Sequence, residues 1–128
     1  MSRSKEEVKS KIYVIKKDEL GQVVIAEEVV AKIAGMAALE VDGVSAMSGN
    51  STTDMIGKLS KTSLSRGVRV RLEDGVVNIA LILVLTYDCS IPKVSKEVQE
   101  KVKAAVENMT GLKVSDVNVK VAGVGQSR

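Results

Sequence analysis

The chain has 128 residues, 45% of them hydrophobic and 27% charged, with a formal net charge of +3. That length suits one domain, and the apolar content is enough for a core, which excludes a chain disordered throughout. His is absent and Cys89 is the single cysteine. Cysteine–histidine and serine–histidine catalysis, an intrachain disulfide and a zinc site built without carboxylates are therefore excluded within this chain.

Phe and Trp are also absent, so Val, Ile, Leu, Ala and Met must fill the interior. The many Val residues favour strands, because β-branched side chains fit a pleated surface. The basic bias is too mild to imply nucleic acid by itself. A lone cysteine fits a reducing, cytoplasmic compartment. Met1–Lys17 lacks the apolar segment of a signal peptide. The longest apolar run, Ile79–Leu85, falls far short of the about 20 residues that cross a bilayer. Membrane association is thus expected to be peripheral or through a partner.

Residues 1–10 are polar and expected to fray; residues 11–124 are expected to form the domain and 125–128 a tail. Lys11–Lys17 reads as a short edge strand and Val23–Ile25 as a brief strand or extended lead-in. A first helix is predicted from about Glu27 to Glu40, with Glu27 and Glu28 favouring the positive end of the helix dipole. Val30, Ile33, Ala34, Ala37 and Val41 recur at helical spacing and mark its core face. Asp42-Gly43 ends it, and Val44–Met47 is a short strand candidate.

Ser48–Gly67 is rich in turn residues, with a helical turn or two around Met55, Ile56 and Leu59. Val68–Asp88 reads as a hairpin. Val68, Val70 and Leu72 alternate with Arg69, Arg71 and Glu73, so one face is buried and the other wet. Asp74-Gly75 suits the turn, and Val76–Tyr87 is apolar on both alternations, as in a central strand.

A second helix is predicted from near Pro92, a residue suited to a first helical turn, to the stop at Gly111. Val94, Val98, Val102, Ala105, Val106 and Met109 form its apolar stripe. Val117, Val119 and Val121 then alternate with polar residues in a last strand, before a tail from Gly123. Neither that stripe nor the sheet can be buried alone. The economical fold is an α/β (α+β) two-layer sandwich: an about four-stranded mixed sheet with two main helices on one face, in the order α-β-β-β-α-β.

Chemistry is sparse. No phosphate-binding loop or dinucleotide motif is present; catalytic residues, cofactor and metal are all expected to be absent. Cys89, near the start of the second helix, could have a lowered thiol pKa or could simply fill space. Lys58, Lys61, Arg66, Arg69 and Arg71 lie close together with no acidic residue among them. They are candidates for contact with lipid headgroups or nucleic acid, or a solvated sheet edge. The scarcity of aromatics for base stacking weighs against nucleic acid. On the first helix, Ala31, Gly35 and Ala38 form a strip of small residues, with Leu39 beside it. This strip is a candidate self-association surface, or it packs within the domain.

Leu20–Val44 (LGQVVIAEEVVAKIAGMAALEVDGV) resembles the opening motif of the alkaline-shock, glucose-starvation-inducible family of bacterial envelope stress response proteins. Met55–Gly75 resembles that family's connector into a Gly-Val-x-Val strand. Val76–Val124 resembles its strand, its Pro-started helix, its Val-x-x-Met-Thr-Gly-Leu turn and its closing Val-rich strand. The resemblance covers about residues 11–124. It implies a small cytoplasmic protein, mostly of Gram-positive bacteria, with no established enzymatic activity and a role in cell-envelope homeostasis. Some members reach the membrane through a separate anchored partner and assemble there; others are tied to lipid metabolism. The chain differs from the stress-protein type in being basic and in lacking long charged tails.

The resulting expectation is a non-enzymatic, self-associating scaffold or adaptor for a membrane-linked or lipid-metabolic protein partner, cytoplasmic or peripheral at the inner membrane face. The competing expectation is a nucleic-acid-binding module using residues 58–71.

Overall fold

The structure, a computed structural model, describes residues 12–47, 67–73 and 75–125. In chain order its elements are β1 (Ile12–Asp18), β2 (Gly21–Ala26), α1 (Glu27–Leu39), β3 (Val44–Met47), β4 (Val68–Glu73), β5 (Val76–Thr86), α2 (Ile91–Thr110) and β6 (Lys113–Gly125).

The most apolar strand occupies the centre. β5 pairs in parallel with β6 along one side, from Val76↔Lys113 to Thr86↔Gly125. Its other side is shared. β4 runs antiparallel to the first half, from Glu73↔Val76 to Val68↔Leu81. β3 runs antiparallel to the second half, from Met47↔Leu83 to Val44↔Leu85. β3 and β4 therefore lie end to end along one edge, and the N–H of Ile82, between their partners, donates to the Gly67 carbonyl at 2.9 Å. The mixed four-stranded sheet and two helices match the α+β sandwich expected.

Both helices cover one face. β5 turns Val77, Ile79, Leu81, Leu83 and Leu85 towards them, all fully buried, while its alternate residues are half-buried on the other face. α1 packs on α2, β3 and β4, and α2 packs on β6. Burial of these aliphatic side chains supplies the main driving force, at about 1.5–3 kcal/mol for each full Val, Leu or Ile.

Local chemistry sets the helix limits. α2 has Pro in its first turn and ends at Gly111, whose φ of 78° is left-handed. The Thr110 hydroxyl, buried there, donates to the Val106 carbonyl (2.7 Å) and accepts from the Leu112 N–H (3.0 Å). After α1, Gly43 has a φ of 104°, and a Cβ there would lie 2.6 Å from a Val94 methyl. Only glycine lets this turn approach α2 so closely.

Several expectations are corrected. Met109 is 69% exposed instead of buried. The buried line on α2 runs Val94, Val98, Val102, Val106, Thr110. Steps of four drift around a helix of 3.6 residues per turn, so Thr110 holds the core position at the C-terminal end and Met109 is turned outward. Ile33 does pack against the core, but from its edge and half-buried, because small neighbours take the centre of the α1 interface. β6 is longer than predicted at both ends and includes Gly123–Gly125, expected as tail; continuous pairing with β5 extends it. The two N-terminal extended segments pair with each other as a hairpin. Its turn is set by the Asp18 carboxylate, which accepts the Leu20 N–H at 2.8 Å, and by Gly21 at φ 128°.

Candidate functional site

The basic stretch is only partly placed. Lys58, Lys61 and Arg66 lie outside the described residues, as do residues 1–10, Asp74 and the helical turn expected near Met55. Arg69 and Arg71 sit on β4 opposite Ala80 and Asn78. Since Val70 between them faces the core, their side chains belong to the sheet face away from the helices. Arg71 pairs with Glu73 at 3.2 Å, an exposed contact of low energetic weight. β6 adds Asp116, Asn118 and Lys120 to the same face, opposite Asn78, Ala80 and Ile82. The Ser115 and Asn118 side chains donate to the two Asp116 oxygens at 2.6 and 2.9 Å. These bonds hold the Asp116 carboxyl below its ordinary pKa, Ser115 contributing most.

The small-residue strip of α1 is enclosed. Ala31, Gly35 and Ala38 are buried together with Val30, Ala34 and Ala37. α1 touches both the sheet and α2, so its buried arc is wider than one stripe. The small side chains let these elements approach closely instead of facing a partner. Leu39 is half-buried against the core. The strip therefore offers no free contact face, which corrects the expectation of one.

The exposed surface of the N-terminal third is a feature the sequence reading did not anticipate. Of the eleven large hydrophobic side chains exposed among the described residues, seven fall between Ile12 and Met36: Ile12, Val14, Leu20, Val23, Val24, Val29 and Met36. Val14 and Val24 are directly opposed across the hairpin. On α1, the exposed Val29 and Met36 lie two turns apart on an outer stripe, with Ile33 between them half-buried at the edge of the core. That spacing is visible in the sequence, but the stronger core stripe masks it.

The hairpin is anchored by Tyr13. Its ring is buried and its hydroxyl donates to the Glu27 carboxylate at 3.3 Å. Burial first, then the Glu27 charge and hydrogen bond, push its pKa up to about 12. Elsewhere, Glu40, Val41, Asp42, Glu97, Glu100 and Lys101 line an open cleft between the end of α1 and α2, and Lys101 pairs with Glu40 at 3.4 Å. Cys89 is half-buried against the core in the turn before α2. Among the described residues no group of three or more Cys, Asp or Glu side chains could hold a metal ion, and no helix is long and apolar enough to cross a membrane. The described residues thus offer surfaces for contact.

Comparison with known proteins points to the cell envelope. The model of the alkaline shock protein 23 family, described as having a cell envelope-related function, matches residues 15–126. The uncharacterized protein YqhY of Bacillus subtilis is 42% identical over 105 residues, covering 82% of this chain and 78% of that protein. YloU of the same organism, also uncharacterized, is 40% identical over 106 residues, covering 81% and 88%. A stress response regulator gls24 homolog of Streptococcus pyogenes serotype M3 is 32% identical over 105 residues, covering 81% of this chain and 59% of that protein. No solved structure matches the chain.

Proposed function

The chain belongs to the alkaline shock protein 23 family, whose function is cell envelope-related, and from that premise we propose that it works by contact, without catalysis of its own. It is a self-associating scaffold or adaptor in the cytoplasm that engages a protein partner linked to the membrane or to lipid metabolism. The observation that carries this reading is the apolar surface on β1, β2 and the outer stripe of α1. Soluble monomers rarely expose large contiguous apolar patches, and such patches mark interaction sites. A two-stranded ribbon is also marginal in water unless something covers it. The hairpin gains its missing layer when a second copy seats against it.

Light scattering on the purified chain tests this. The mass should exceed one chain and should fall to that of one chain in a Val14→Lys, Val24→Lys, Met36→Lys variant. These three side chains are exposed, so the fold tolerates the change. A wild-type chain that stays monomeric as concentration rises, or a variant with unchanged mass, overturns the reading.

A further inference from the structure

The open face of the sheet is graded from one end to the other. At one end charged side chains have partners: Arg71 pairs with Glu73 and Asp116 accepts from Ser115 and Asn118, while Lys113 stands in the same row as Glu73, across Val76. At the other end the central strand presents Ala80, Ile82 and Val84, all partly accessible. Two cations flank this apolar stretch: Arg69 beside Ala80 on β4, and Lys120 beside Ile82 on β6. Both are exposed and neither has an ion-pair or side-chain hydrogen-bond partner among the described residues. Two strand spacings separate β4 from β6 and the two positions are offset by two residues along β5, so the cations stand about 12 Å apart on the sheet. Among the described residues the small Gly67, Ala46 and Gly123 adjoin the Ile82–Val84 end of the platform.

We infer that this end of the sheet docks on an anionic lipid bilayer, with Arg69 and Lys120 contacting headgroup phosphates and Ala80, Ile82 and Val84 meeting the apolar boundary between them. The argument is charge complementarity joined to polarity. A free phosphate would use the two cations but not the aliphatic platform. Single-stranded nucleic acid would want aromatic side chains, and the described part of this face has none. The helices cover the opposite face, so bilayer docking leaves α1 and the hairpin available to protein. The inference goes beyond the proposed function, since it needs no intermediary partner to reach the membrane.

The contact is electrostatic in the main, so it is weak and salt-sensitive. Each basic residue near an anionic surface is worth about 1 kcal/mol. The test is co-sedimentation of the full chain with vesicles of phosphatidylglycerol mixed into phosphatidylcholine, against phosphatidylcholine alone. Binding is expected only to the anionic vesicles. Raising ionic strength from about 0.1 M to about 1 M, which shortens the screening length from about 10 Å to about 3 Å, should release the chain. Arg69→Gln and Lys120→Gln should each weaken binding about fivefold, and Ile82→Asn should weaken it without changing the salt dependence. Lys103→Gln, exposed on α2, should bind as wild type. Equal binding to both vesicle types, no binding to either, or unchanged binding in the Arg69→Gln, Lys120→Gln double variant overturns the inference. So does retention of RNA by a chain that ignores the vesicles, or displacement from the vesicles by inorganic phosphate at constant ionic strength. A Val14→Gln, Val24→Gln, Met36→Gln variant, which adds no charge, separates the two readings: it should lose self-association and keep bilayer binding at its single-chain strength.

Discussion

β5 and the β1–β2 hairpin are both rich in Val and Ile, but their aliphatic side chains end in opposite environments. In β5 the inward side chains are at most 1% exposed, beneath α2 and α1. In the hairpin, the opposed pair Val14 and Val24 is 49% and 45% exposed. The difference is the second layer. The β5–α2–β6 unit carries its own cover, because a parallel crossover returns a helix across the sheet. Among the described residues the hairpin is held by α1, by the Tyr13–Glu27 hydrogen bond and by the packing of Tyr13, Ile15 and Ile25 on the core. Identical side-chain chemistry therefore stabilises one region and leaves the other open to a partner.

The comparison breaks most visibly in the core. Leu83→Ala, fully buried beneath the helices, should lower unfolding free energy by about 2–5 kcal/mol in chemical denaturation, with the whole domain melting at once. Gly43→Ala should cost about 1–3 kcal/mol from overpacking against Val94, and adding Val94→Ala should recover part of that loss in the same measurement. Tyr13→Phe should cost about 1 kcal/mol for the lost hydrogen bond. Its effect belongs mainly to the hairpin: amides of β1 and β2 should exchange faster while those of β5 do not. If the β5 amides change equally, the hairpin is part of the same cooperative unit and the contrast fails.

The pH dependence sharpens the same point. A phenol whose folded pKa is raised to about 12 favours the folded state while protonated. That contribution is complete below the ordinary value of about 10 and is lost as pH rises from about 10 to about 12. Tyrosinate absorbance in a Tyr87→Phe variant isolates Tyr13 and should show titration in the upper part of that window, coupled to release of the hairpin. Smallest of all, Val24→Thr should change stability by no more than about 0.5 kcal/mol while reducing self-association measured by light scattering.

Much of this fold was legible in the sequence because its signals are local. Val68, Val70 and Leu72 alternate without interruption, and Gly111 closes α2 as expected. What failed were features decided by long-range pairing. The hairpin required Lys16 and Val23 to find each other around Asp18–Gly21, with a register shift between Val14 and Lys16 that blurs the alternation. Lys120 joins Arg69 on one face only because β6 lies across β5 from β4. The fate of Ala31, Gly35 and Ala38 turned on how many neighbours α1 has. Small residues serve equally to admit a partner or to seat a helix, and their spacing is the same in both cases.

The end-to-end arrangement of β3 and β4 makes one edge of the sheet a strand whose continuity is conformational and not covalent. Met47 and Val68 face Leu83 and Leu81, two positions apart on the same template. Register there is dictated by β5, so the two pieces should behave as one unit of cooperativity despite their separation along the chain. Native-state hydrogen exchange would show this as β3 and β4 amides opening together with a common free energy; separate opening would mean that each piece keeps its own hold on the central strand.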